Sequence, residues 1–353
     1  MPQPTHDTLI IGQGLAGSAL AWHLVEAGQR VVVIDDGHRS SSSLVAAGLV
    51  NPLAGMRFGR RPQVDDWLGA ADDWYDRLAE RFGARFFHPL PMLRLFRSAA
   101  QQRFYRQRAD DPACAALLGS AFSAAGCPEP VAAPQGGFTQ HRTGYVDLPL
   151  LLDALRRWLG AHALVRTSRF GADQLQIGPD LVSVADIAAR RLVFCDGARL
   201  RDNPWFGHLP LAPDKGEILN LRFDDWRPRH IVNGAHWLVP LANGEVRFGA
   251  THDHAHCDDR PTATGRETLL SGLAVLREGL PGPTVVAHQA GVRPGTRDRY
   301  PLVGRHRDHP ALHVFNGFGA RGALTIPWYA RCMADHLLHG SPLPPEADIR
   351  RFA

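Results

Sequence analysis

Residues 5–36 read, without interruption, THDTLII, GQGLAG, SALAWHLVEAG and QRVVVIDD. Thr8–Ile11 is a short, mostly apolar run, expected as a buried strand. The Ala- and Leu-rich stretch Ser18–Ala27 places Leu20, Leu24 and Val25 at helical spacing, and Gly28 is well placed to end that helix. Val31–Ile34 is a second buried strand, closed by Asp35-Asp36. The order strand, glycine turn, helix, strand, acid assigns each part a task. Gly12 permits the tight turn, Gly14 lets backbone approach a diphosphate, and Gly17 lets the helix pack closely on its strand. The free N–H groups and dipole at the helix start, Leu15 and Ala16 included, favour that diphosphate. Asp35 follows Gly17 by 18 residues, where a carboxylate accepts hydrogen bonds from a ribose. The first unit is therefore a dinucleotide site.

A second glycine turn stands at the other end of the chain. Ala311–Phe315 reads as a strand and leads into Asn316-Gly317-Phe318-Gly319-Ala320-Arg321-Gly322-Ala323-Leu324, followed by a helix through Trp328, Tyr329, Met333 and Leu337. A helix start with glycine-exposed N–H groups stabilises negative charge, as a reduced flavin ring requires. This turn favours a flavin dinucleotide over a nicotinamide one.

Bulk properties narrow the partners. At 353 residues the chain exceeds what one hydrophobic core covers, so two lobes are expected. The net charge of +4 comes from basic residues spread along the chain, and nucleic-acid binders concentrate theirs in a stripe. No apolar run approaches the roughly 20 residues that span a bilayer. Cys114, Cys127, Cys195, Cys257 and Cys332 form no paired spacing and read as reduced thiols of the cytoplasm. The opening residues carry no basic segment of a secretory leader. His252-Asp253-His254-Ala255-His256-Cys257 invites a metal reading, but alternating spacing spreads the ligands in opposite directions, so no metal is expected.

Further landmarks resemble the flavin-dependent amine oxidoreductases of the D-amino-acid oxidase, glycine oxidase and sarcosine oxidase superfamily. Ser41–Leu49 matches the small-residue loop that passes under the flavin. Gly144-Tyr145-Val146-Asp147-Leu148 matches G-x-V-D-P with Leu148 for Pro, and Leu192–Gly197 matches a strand ending in A-T/A-G with Cys195 and Asp196 as departures. Trp237–Pro240 and Val246–Thr251 match a Y-L-V-P…G-A-T hairpin. Gly291–Asp298 and Pro301–Gly304 match G-x-R-P-x-T-x-D…P-x-I-G. Gly48-Leu49-Val50-Asn51-Pro52-Leu53-Ala54-Gly55-Met56-Arg57 resembles a bacterial subgroup with N-P-x-x-G-x-R.

The resemblance implies an enzyme that binds FAD and oxidises the C–N bond of an amino acid or related amine, passing hydride to flavin N5 and electrons to oxygen or a quinone. It places FAD contacts on Gly12, Gly14, Leu15, Ala16, Gly17, Asp35 and Asp36, and on Ser42, Ser43, Ala46, Ala47, Gly48 and Leu49. Others fall on Cys195, Asp196 and Gly197, and on Arg293, Gly317, Gly319, Ala320, Arg321, Gly322, Ala323 and Leu324. Arg293 is implied to grip a substrate carboxylate, a task suited to a guanidinium fork. Trp237 falls where glycine oxidase-like members place a substrate-side Tyr, which hints at a bulkier or less polar substrate. Arg247 aligns with a lysine near flavin N5, and His252 follows the G-A-T turn on the substrate side. No Cys stands beside Arg293-Pro294, so the flavin is expected to be held non-covalently.

The expected fold is α/β: a Rossmann-type FAD-binding domain (1–60, 144–210, 288–353) interleaved with an antiparallel or mixed-sheet substrate domain (61–143, 211–287). The second lobe is expected to include an amphipathic helix around Asp65–Phe82, and Ala124–Gly137 is expected as a mobile loop. Three alternatives stay open. The oxidase half of the bifunctional tRNA wobble-uridine modification enzyme shares the pattern of Arg297–Gly304; a non-catalytic flavin protein and a nicotinamide-dependent dehydrogenase are the others.

Overall fold

A computed structural model describes residues 5–37, 41–179 and 181–352; Met1–Pro4, within the stretch read for a leader, lie outside the described residues. The first sheet is built from three distant parts of the chain. His6–Ile11 lies between Val31–Asp35 and Ile187–Phe194, parallel to both, with Leu164–Thr167 added beyond Val31–Asp35. Leu312–Asn316 pairs in parallel with the C-terminal half of Ile187–Phe194. The central strands are buried on both sides, as parallel strands covered on two faces must be. Leu9, Ile11, Val32 and Ile34 point into one core, and Ile10, Val31 and Val33 into the other.

The second of these cores is a helix layer. Leu15–Glu26, Leu148–His162 and Gly322–His339 pack there, with Trp22 and Trp158 at 4.3 Å between ring centroids. Each fully buried Leu or Val in it contributes about 2 kcal/mol of hydrophobic free energy. Asp147 caps Leu148–His162 by accepting from the Leu150 amide, and Pro149 sits in its first turn, taking the place of the proline missing at 148. The helix Val64–Phe82 corrects an expectation. It packs on this layer, not on the second lobe: Trp67, Trp74, Tyr75 and Leu78 join Tyr329 and Met333, and Tyr75 Oη donates to the Ala323 carbonyl at 2.6 Å.

The second sheet runs in the order Thr284–Thr296, Leu211–Arg222, Val246–Gly249, Trp237–Pro240, Ile231–Asn233, Met92–Leu95, Gly137–Gln140, Leu118–Phe122, all antiparallel except Ile231–Asn233 with Met92–Leu95. One face is covered by the helix Ala263–Leu276 through Leu269 and Leu273. The buried Glu217 accepts from the backbone and hydroxyl of Thr262 at 2.9 and 2.8 Å, and Lys215 pairs with Asp258 at 2.7 Å, so this face also ties down the segment leading from His252 to the helix. The loop after Ala124 is pinned as well: buried Glu129 accepts from Trp226 Nε1 and from the amides of Arg229 and His230. The other face looks back at the first lobe.

Candidate functional site

At the first glycine turn, geometry explains the residue types. Gly12 has φ +98°, and a β-carbon there would lie 2.5 Å from the Cys195 carbonyl oxygen. A β-carbon on Gly17 would overlap the Gly12 carbonyl oxygen. Gly14 is the N-cap of Leu15–Glu26 and offers no side chain to it, nor is any acid present in the first turn. The Leu15 amide donates to Ser43 Oγ at 3.1 Å, which ties the turn to the loop after Ser41, and Ala16 packs on the helix core. Asp35 accepts from the amides of Gln13 and Gly37, both at 2.8 Å, with Arg156 at 3.5 Å.

Beside them lies a cavity of about 240 Å³ bounded by Gly12, Asp35, Asp36, Phe170, Asp196 and Asn203. Asp36 is paired with Arg199 at 2.8 Å. Burial pushes the Asp196 carboxyl up to about 6, against hydrogen bonds that include Asn316 Nδ2 at 3.0 Å. The same amide donates to the Gly197 carbonyl at 3.1 Å, so Asn316 clips the ends of two parallel strands together. Burial likewise raises the Cys195 thiol.

The second turn repeats the arrangement. Gly317 and Gly319 have φ +81° and +53°, and a β-carbon on Gly317 would come within 2.9 Å of Thr296 Cγ2. Gly319–Arg321, with Ala320 between, forms a 3₁₀ turn, and Gly322 opens the long helix with Ala323 and Leu324 buried. This helix too lacks a side-chain cap and an acid in its first turn. Two packed helices therefore begin without a cap side chain or an acid in the first turn, which suits an anionic dinucleotide. The Arg321 side chain turns away from the turn, over the Trp67 ring and toward the carbonyls of Asn51 and Pro52.

Strand register gathers the substrate-side candidates. Asp214 pairs with Arg293, Gly216 with Gly291, Ile218 with Gly249, Asn220 with Arg247, and Trp237 with Gly249. Period two puts them all on one face. That face meets the loop of the first lobe: a β-carbon on Gly291 would lie 3.3 Å from Ser42 Cα, and Arg247 Nη1 donates to the Ala46 carbonyl at 2.9 Å. Ala47 and Leu49 pack with Trp237, and a β-carbon on Gly48 (φ +69°) would overlap the Val146 carbonyl oxygen. Two glycines make room on the roof. The Arg293 guanidinium lies across Gly216, and the Trp237 ring across Gly249. Burial lowers the pKa of Arg247, whose Nε is enclosed without a partner among the described residues.

Arg293 and His252 both meet Asp214. Arg293 does not present a free fork: Nη1 pairs with Asp214 at 2.6 Å and Nη2 reaches the Thr251 carbonyl at 3.4 Å. His252 does not point into an enclosed site. Its side chain is 67% exposed, and Nδ1 sits 2.7 Å from Asp214. His254 also leans toward Asp214, whereas His256 is paired with Asp253, so two of these histidines share one carboxylate and the third has another. Sequence reading missed Asp214 and the buried Arg94. Asp214 sits 79 positions from its partner, and only strand register reveals the pair.

An α/β dinucleotide sheet roofed by a second sheet, with two uncapped helix starts converging beneath the roof, defines a nucleotide-dependent oxidoreductase architecture. The chain belongs to the FAD dependent oxidoreductase (DAO) family, whose profile matches residues 7–336. It is 27% identical to glycine oxidase of Pseudomonas putida over 96% of each chain. It is 28% identical to the tRNA 5-methylaminomethyl-2-thiouridine biosynthesis bifunctional protein of an Azoarcus species, covering 97% of this chain but 58% of that one. Among solved structures, glycine oxidase from Geobacillus kaustophilus superposes with a TM-score of 0.84 at 22% identity, covering 99% of this chain and 98% of that one, and shares the fold. The protein is thus an FAD-dependent enzyme of mixed α/β fold. Among the described residues no helix is long and apolar enough to cross a membrane.

Proposed function

We propose that this enzyme oxidises the C–N bond of an amino acid or a related amine, with the substrate lying between the loop Ser42–Leu49 and the sheet face that carries Trp237, Arg247 and Arg293. The observation that supports this most is the convergence of that face on the small-residue loop, with Gly216 and Gly249 leaving space for the two large side chains. FAD, when bound, supplies the hydride acceptor for the carbon next to nitrogen. The protein's part is placement. The two glycine turns hold the dinucleotide, Trp237 forms an apolar wall, and the Arg293–Asp214 pair offers a donor fork beside an acceptor, matched to a group bearing both charges. The bleaching panel tests this: anaerobic holoenzyme mixed with D-amino acids, L-amino acids, N-methyl amino acids and cyclic imino acids. Loss of flavin colour with at least one class is expected, and a panel without bleaching refutes the reading.

The flavin is held by contacts alone in this reading. Acid precipitation is expected to leave a white pellet and a yellow supernatant; a yellow pellet would show a covalent bond. Arg247 keeps positive charge over the loop at Ala46, where the resemblance puts flavin N5. Oxygen or a quinone takes the electrons, and Arg247→Met is expected to slow reoxidation in air about 10-fold or more, the loss of one charge-assisted contact. Equal reoxidation rates for both proteins would remove Arg247 from that step. The five free cysteines fit a cytoplasmic location. Action on an aminomethyl group of tRNA has less support, since basic residues are dispersed and the chain spans 58% of that relative's length.

A further inference from the structure

The roof face continues past Trp237 into a second concavity. Asn233 pairs with Trp237 on one side and with Arg94 on the other. Two strand spacings of about 4.8 Å put Arg94 roughly 10 Å from Trp237. A cavity of about 220 Å³ opens here, walled by Asn51, Arg94, Arg97, Gln101 and Asn233, and no Asp or Glu lines it.

Arg94 is only 7% exposed. Its guanidinium meets neutral acceptors alone: Leu53 O at 3.0 Å, Gly55 O at 3.4 Å and Gln140 Oε1 at 3.2 Å. It also lies over the Phe58 ring, and among the described residues no carboxylate offsets its burial, which pulls its pKa down to about 10. An enclosed cation with neutral partners leaves its charge uncompensated. The amides around it point the same way. Asn51 Oδ1 is used by the Leu53 amide and Gln140 Nε2, and Gln101 Oε1 by the Arg97 amide. The carbonyl oxygens of Asn51 and Gln101 are thus spent within the wall, and the charge facing the cavity is that of Arg94 and Arg97. Arg293, by contrast, already has its carboxylate in Asp214.

We propose that this cavity is a subsite for a second anionic group of the substrate, a carboxylate carried several bonds from the amine-bearing carbon. The subsite is a refinement of the C–N oxidation reading and rests on it for the position of the reacting end. Acidic amines are thereby favoured over their amides, because an amide brings no charge to Arg94.

The test compares aspartate, glutamate and 2-aminoadipate with their side-chain amides, in both enantiomers, on holoenzyme, alongside binding of the unreactive pair glutarate and glutaramate followed by the flavin difference spectrum or calorimetry. The longer diacids are expected to exceed their amides about 10- to 100-fold in kcat/KM, and glutarate to bind more tightly than glutaramate by a similar factor. Arg94→Gln should bring both ratios near one. Because Arg94 also ties the segment from Leu53 to Gly55, Asn233→Asp is the second variant: it sets a carboxylate in the cavity wall, leaves that tie intact, and should lower both ratios. Unfolding temperature and flavin content serve as fold controls. Ratios near one in wild type, or ratios that survive both variants, overturn the subsite. If no amine bleaches the flavin while glutarate still outbinds glutaramate, the subsite stands and the oxidation reading falls.

Discussion

Replacing Gly17 by alanine is expected to give a colourless protein. The new methyl group would overlap the Gly12 carbonyl oxygen, and Gly12 in turn has no slack, because its own neighbour is the Cys195 carbonyl. The helix Leu15–Glu26 must therefore move outward, and its N–H groups leave the place where the diphosphate binds. Overpacking of this kind costs about 2–3 kcal/mol, which corresponds to a loss of FAD affinity of about 30- to 150-fold. FAD titration of the apoprotein measures it, with circular dichroism to show that the fold persists. Gly160→Ala is the control, since a β-carbon there meets nothing within 4 Å; its FAD affinity should match wild type. Equal affinity for Gly17→Ala would mean that the first turn does not hold the cofactor.

Opposite signs are expected at the two ends of one ion pair. Arg293→Gln removes a charge-assisted donor fork and leaves Asp214 with His252 at Oδ2 and with no hydrogen-bond partner at Oδ1 among the described residues. Losing a hydrogen-bonded charge contact to a bound carboxylate costs about 2–4 kcal/mol, so kcat/KM for amino-acid substrates should fall about 30- to 1000-fold. Asp214→Asn instead releases the guanidinium, and KM for carboxylate-bearing substrates should fall about 10-fold. The pair holds over a wide pH range. Burial alone would raise the Asp214 carboxyl, but the His252 hydrogen bond and the Arg293 charge outweigh it and hold it below its ordinary value. Its stabilising contribution is thus present above the unfolded pKa of about 3.9 and is lost only as pH falls through the lower folded value. Steady-state kinetics of both variants decide the matter; a fall in kcat/KM for each would show the pair to be structural.

What the sequence disclosed was local. The first glycine turn is legible because strand, turn, helix and acid are contiguous, and each glycine answers a clash within its own unit or at the end of a neighbouring strand. The hairpin carrying Trp237 and Arg247 was legible through its match to the Y-L-V-P…G-A-T motif. Partners far along the chain were not. The amphipathic helix Val64–Phe82 announces an apolar face through Trp67, Trp74 and Leu78, but that pattern does not say which sheet it will cover, and it covers the first. Arg293 was recognisable from its motif, whereas its neutralisation by Asp214 follows only from the pairing of two long strands. Arg94 is one charge in an apolar strand, and no motif marks it. Its significance depends on the three segments, around Asn51, Gln140 and Asn233, that enclose it.

The first strand of the nucleotide sheet, His6–Ile11, finds its central neighbour only at Ile187–Phe194, and the second glycine turn follows Leu312–Asn316. During synthesis the ribosome therefore releases an opening segment whose apolar strand edges stay unpaired for much of translation. Such edges invite misassociation. The nascent chain cannot capture the vitamin-derived cofactor until the second glycine turn has emerged, and expression hosts with ample chaperone should yield more holoprotein than those without.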